Sequence, residues 1–95
     1  MTAPPAPGAI AGDWSVSEPN GSCRLTLGAQ PGARGSAQPQ GCASAEMTRV
    51  AAWQFRGANL MLLDGNGAPL IMLRPGAGGR YEGSGLSRER YAIAR

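Results

Sequence analysis

The chain contains no histidine and no lysine; all nine of its basic residues are arginines. Without histidine, Ser–His–Asp and Cys–His nucleophile systems and His-ligated zinc sites are excluded. Without lysine, Schiff-base catalysis is excluded too. Large apolar residues are scarce. Leu, Ile, Val and Phe occupy 14 of the 95 positions, whereas Ala alone occupies 16, and Ala buries little area. The ceiling is therefore one small domain with a thin core. No apolar run approaches membrane-spanning length, so no direct membrane insertion is expected. The chain is rich, by contrast, in residues that break helices: 15 Gly and 8 Pro leave Cys42–Arg56 as the longest uninterrupted stretch, which excludes a long helical bundle.

The arginines carry the formal charge of +3 but are spread along the chain, from Arg24 to Arg95. No basic run exists to track a phosphate backbone, so nucleic acid is not an expected partner. The six carboxylates (Asp13, Glu18, Glu46, Asp64, Glu82 and Glu89) show no spacing that sets two on one face, as a two-carboxylate glycosidase requires. The expectation is a protein that is not an enzyme and needs no cofactor or metal.

Two cysteines, Cys23 and Cys42, remain to be explained. They are too few for a tetrahedral metal site and lack the C-x-x-C redox spacing. As a disulfide they close a loop of about 20 residues, which removes roughly 3 kcal/mol of unfolded-state entropy. A bridge implies an exported protein in an oxidising compartment. The segment after Met1, Thr2-Ala3-Pro4-Pro5-Ala6-Pro7-Gly8, has neither a basic start nor an apolar centre, so it is not a signal peptide. Two expectations fit: the export signal has been removed, or this is the C-terminal domain of a longer protein.

Along the chain, residues 1–10 read as an extended Pro/Ala-rich arm or linker, and residues 11–95 as a folded domain. Gly12–Ser17 alternates, with Trp14 and Val16 on one face. Cys23–Leu27 alternates again, with Cys23, Leu25 and Leu27 sharing a face. Gly28–Gly41 reads as a long loop with room for one short strand near residues 33–37. Ala43–Thr48 fits a single helical turn capped by Ser44. Strand character resumes at Val50–Arg56, Leu60–Leu63, Leu70–Arg74, Arg80–Gly83 and Arg90–Arg95. Asp64-Gly65-Asn66-Gly67 is the clearest turn. Short strands at intervals of about ten residues predict an antiparallel sandwich or barrel. Trp14, Leu25, Leu27, Trp53, Leu60 and Leu62 are the expected core.

These motifs, taken in order, resemble a known family. Gly12-Asp13-Trp14, Cys23-Arg24-Leu25-Thr26-Leu27, Gly41-Cys42, Trp53, Leu60–Gly67, Tyr81-Glu82-Gly83 and a last strand ending at Arg95 are similar to the bacterial alkaline protease inhibitor (Inh) family. Its members are periplasmic inhibitors of serralysin-type zinc metalloproteases and include outer-membrane lipoproteins. The resemblance implies an all-β fold, a small eight-stranded antiparallel up-and-down barrel with the Cys23–Cys42 disulfide. It implies a monomer in the periplasm or at the outer membrane, with a secreted metalloprotease as its partner. It also implies a mechanism, in which the arm enters the active-site cleft and its amine approaches the zinc. The protease-contacting residues are then Thr2, Ala3, Pro4, Pro5, Ala6, Pro7, Gly8, Ala9 and Ile10. This arm is richer in Pro than the family pattern and lacks its small-polar start. The alternative is a structural or ligand-binding barrel module of an envelope lipoprotein.

Overall fold

The computed structural model describes residues 10–19, 21–28 and 34–94. Eight strands follow one another around a closed antiparallel barrel. They are β1 (Gly12–Glu18), β2 (Gly21–Leu27), β3 (Arg34–Gln40), β4 (Ala52–Arg56), β5 (Asn59–Leu63), β6 (Pro69–Pro75), β7 (Tyr81–Gly85) and β8 (Arg90–Ala94). A single helical turn, α1 (Ala45–Thr48), lies between β3 and β4. The last strand returns to the first through Ser15↔Ala94, Val16↔Ile93 and Ser17↔Ala92. Every strand thus has a neighbour on both sides, which suits a chain with no lysine to guard an open edge.

The alternation seen in the sequence becomes inside and outside. Trp14 and Val16 of β1 point inward between exposed Asp13, Ser15 and Ser17. Leu25 and Leu27 of β2 do the same. Trp53 and Phe55 of β4 face Leu62 and Leu60 of β5 in register. Eight strands give an interior just wide enough for side chains to fill, and these fill it. Leu25, Leu27, Trp53, Leu60, Leu62, Ile71, Leu73 and Ile93 are all under 2% exposed. Trp14 meets Tyr81 edge-on at 5.9 Å between ring centroids, and Trp53 meets Phe55 at 5.6 Å. Each such pair adds about 1 kcal/mol beyond the area it buries.

Where the sequence leaves room for one short strand near residues 33–37, there is a full seven-residue strand, β3. Its sequence, Arg-Gly-Ser-Ala-Gln-Pro-Gln, is almost without large apolar residues, and at Gly35 the bulk of Trp53 lies against it. A Cβ on Gly35 would overlap both the Gly28 carbonyl and the Trp53 indole. The indole Nε1–H donates to that same carbonyl at 2.9 Å. Small residues in β3 are thus what allow the large one in β4.

Each end of the barrel carries a stopper. Ile10, immediately before β1, is 1% exposed and packs in the core, and its carbonyl accepts the Trp14 indole N–H at 2.8 Å. At the other end α1 inserts Met47, which is fully buried. Ser44 is extended at φ −71°, ψ 127°, and its hydroxyl accepts from the Met47 N–H, capping the turn as its sequence position suggests.

Candidate functional site

The two ends of the barrel differ in construction. One end receives Ile10 and β1, the turn from Arg56 to Asn59 and the loop from Pro75 to Tyr81. The other holds the Glu18–Gly21 connection, the α1 segment, the Asp64–Ala68 turn and the Gly85–Arg90 turn.

The α1 end is tied together by side chains. Cys23 and Cys42 form a disulfide, with S–S 2.07 Å and Cα–Cα 4.8 Å. Beside it, Glu18 is 9% exposed, and its two carboxylate oxygens accept the Ala43 and Ser44 N–H groups at 3.0 and 3.1 Å. Glu18, Cys23 and Cys42 bring possible ligand atoms within 4.8 Å of one another. The sulfurs are bonded to each other and the carboxylate is held by backbone, so this donor set does not fit a metal ion. Glu46 reaches across to the Gly85–Arg90 turn, accepting from the Ser87 N–H and hydroxyl at 3.0 Å each. A Cβ on Gly85 would overlap that carboxylate. The Tyr91 hydroxyl lies between Ser44, Glu46 and Glu89. Burial pushes its pKa up to about 12, the two carboxylates acting in the same direction.

Two carboxylates therefore do converge, which their sequence spacing conceals. Glu46 clamps a turn and both carboxylates hold a tyrosine hydroxyl, which is structural chemistry. Asp64 is likewise a turn-former: one carboxylate oxygen accepts from the Asn66 and Ala68 N–H groups, both at 2.9 Å, and Arg49 stands 3.8 Å from the other. Those N–H groups, foremost, hold its pKa below the ordinary value.

At the end that receives β1, the two indoles bond the Ile10 and Gly28 carbonyls, and on the outer surface the Thr26 hydroxyl donates to Asp13 at 2.8 Å. The turns of this end are low in relief. Gly57, Gly78 and Gly79 have φ of 63°, 69° and 78°, and a Cβ on any of them would meet nothing within 4 Å. Arg56, Arg74 and Arg80 stand exposed around them.

Of the nine residues expected to contact a protease, Thr2, Ala3, Pro4, Pro5, Ala6, Pro7, Gly8 and Ala9 lie outside the described residues. Ile10 requires a correction. Its side chain is buried with Trp14 in the core, so it cannot touch a partner while the barrel is closed, and it belongs with the barrel and not the arm. An isoleucine next to a Pro/Ala tract was the signal available for this in the sequence.

A packed eight-stranded barrel leaves no calyx for a ligand without displacing Trp53 and its neighbours. That construction defines a class of small disulfide-bonded barrels with a filled interior. This chain belongs to the Inh protease inhibitor family, whose family model, "Protease inhibitor Inh", matches residues 4–95. It is 30% identical over 90 residues to the outer membrane lipoprotein omp19 of Brucella melitensis, covering 94% of this chain and 50% of that protein. It is 33% identical over 78 residues to the omp19 homolog of Rhizobium meliloti, covering 79% of this chain and 42% of that protein. The chain thus spans about half the length of the curated relatives it matches. Among solved structures, the inhibitor of a psychrophilic marine protease MP shares the fold, with TM-score 0.69 and 20% identity over 96% of this chain and 99% of that one.

Proposed function

We propose that this chain inhibits a secreted zinc metalloprotease of the serralysin type, in the bacterial cell envelope, by placing the segment upstream of Ile10 in the active-site cleft. Membership of the protease inhibitor family supports inhibition, and the outer-membrane lipoproteins among its relatives support the envelope. The observation that carries the mechanism is the anchoring of Ile10. Its buried side chain and its carbonyl bond to Trp14 give the preceding residues a fixed origin at the barrel rim. Residues 1–9 could extend about 30 Å from that point at 3.3–3.6 Å per residue, enough to run along a cleft while the barrel stays outside it. Pro4, Pro5 and Pro7 restrict the unbound segment, which lowers the entropy lost on binding. Whichever residue carries the mature amine, that amine is the group that approaches the zinc.

Removing residues 1–9 while keeping Ile10 tests this reading. The truncated barrel should unfold at the same temperature as the full chain and lose inhibition of a serralysin-type protease by at least about 100-fold, the few kcal/mol that buried anchors carry. Equal inhibition by the two forms would remove the arm from the mechanism.

A further inference from the structure

The barrel is electrically polarised along its axis. At the end that receives β1 stand Arg56, Arg74 and Arg80, against the two carboxylates Asp13 and Glu82. At the α1 end stand Arg49, Arg88 and Arg90, against Glu18, Glu46, Asp64 and Glu89. Arg24 sits midway along β2, and Arg95 lies outside the described residues. Among these residues one end has a surplus of one positive charge and the other a deficit of one.

The two sets of charges are also used differently. At the α1 end Glu18 and Asp64 hold backbone N–H groups, and Glu46 and Glu89 hold side-chain or turn groups. At the opposite end Arg80 reaches only the exposed Glu82, at 3.4 Å, a pair that water and salt weaken. Among the described residues, Arg56 and Arg74 have no carboxylate within 4.0 Å. Among the described residues, none of these three arginines has an internal carboxylate partner. Arg56 and Arg80 flank turns built of Gly57-Ala58 and Gly76-Ala77-Gly78-Gly79, whose residues carry no long side chain.

We infer that this rim is a docking surface for an acidic face of the target protease bordering its cleft, with Arg56 and Arg80 as its principal contacts. The inference rests on the arm reading above, because the arm starts at this same rim. A basic rim draws an acidic surface toward it and orients the barrel with Ile10 facing the partner before any contact forms. Steering of this kind acts on the association rate and is screened by salt, with a screening length of about 10 Å at 0.1 M.

The experiment measures association and dissociation of the full chain with a purified serralysin-type protease at low and high salt. It compares the wild type with Arg56→Glu/Arg80→Glu and with Arg88→Glu/Arg90→Glu, which makes the same change in net charge at the opposite end. All three should unfold at similar temperatures, since the substituted side chains are exposed. The rim variant should associate about tenfold more slowly at low salt, and the gap should close near 1 M salt, where screening falls to about 3 Å. The Arg88/Arg90 variant should stay within about twofold of wild type. Equal rates for the two variants, or a rim deficit that persists at high salt, would overturn the docking surface while leaving the arm reading intact. A wild-type chain that fails to inhibit would overturn both.

Discussion

The two ends of this barrel solve the same problem by different means. Both must stop the core from opening to water. The α1 end does so with a covalent bridge, a buried carboxylate on two backbone N–H groups, and a tyrosine hydroxyl held among Ser44, Glu46 and Glu89. Among the described residues, the other end does so with one apolar side chain, Ile10, and two indole bonds to backbone carbonyls. Side chains that hold the structure are unavailable to a partner. Among the described residues, the end closed by apolar packing leaves Arg56 and Arg74 without a carboxylate partner, and Ile10 lies at this end. On the function proposed above, this is a division of labour: one end gives stability and the other would meet the target.

The largest expected effect comes from breaking the α1 end. Replacing both cysteines by serine should cost about 3 kcal/mol, equivalent to about 15 °C in melting temperature. Below that temperature each folded molecule should still inhibit as well as the wild type. Calorimetry together with titration against a protease checks both halves, and loss of inhibition in the folded variant would contradict the division. Next comes Ile10→Ala, which should cost about 2 kcal/mol by leaving a cavity under Trp14. Here inhibition should fall further than stability does, because the arm loses its fixed origin. Equal losses in the two variants would erase the contrast between the ends.

The smallest effect sharpens the α1 end through pH. The Tyr91 pKa is raised from 10.0 to about 12, so the folded state holds the proton more tightly than the unfolded chain does. That contribution is complete below pH 10 and is lost as pH rises toward 12. Burial raises the Tyr81 pKa in the same direction. Tyr91→Phe should make the fall in stability across this window shallower in alkaline melting curves. Curves parallel to the wild type would show that burial of the Tyr91 hydroxyl contributes nothing to it.

Much of this architecture is legible in the sequence, because turns and alternation are local. Asp64 to Gly67 announces a turn through residues that tolerate it, and the structure shows Asp64 holding the backbone of that turn. Ser44 announces its cap in the same way. The full length of β3 is hidden because it has few large apolar residues to mark it, and its Gly35 answers to Trp53, 18 positions further on. The Glu46 clamp is hidden for the same reason: Ser87 and Tyr91 are more than 40 positions away, and no periodicity links them. Ile10 is misread because its neighbours in sequence are Pro and Ala while its neighbours in space are the core.

Closure of the sheet has a consequence for what the target enzyme can do. A protease binds a substrate as an extended chain, pairing its own backbone with that of the chain in the cleft. In this barrel β1 and β8 pair with each other, so among the described residues the closed sheet presents no open edge strand for such pairing. A protease cannot draw such a closed sheet into its cleft by strand addition. Resistance of the strands to digestion is therefore tied to the stability of the barrel, to which the Cys23–Cys42 bridge contributes.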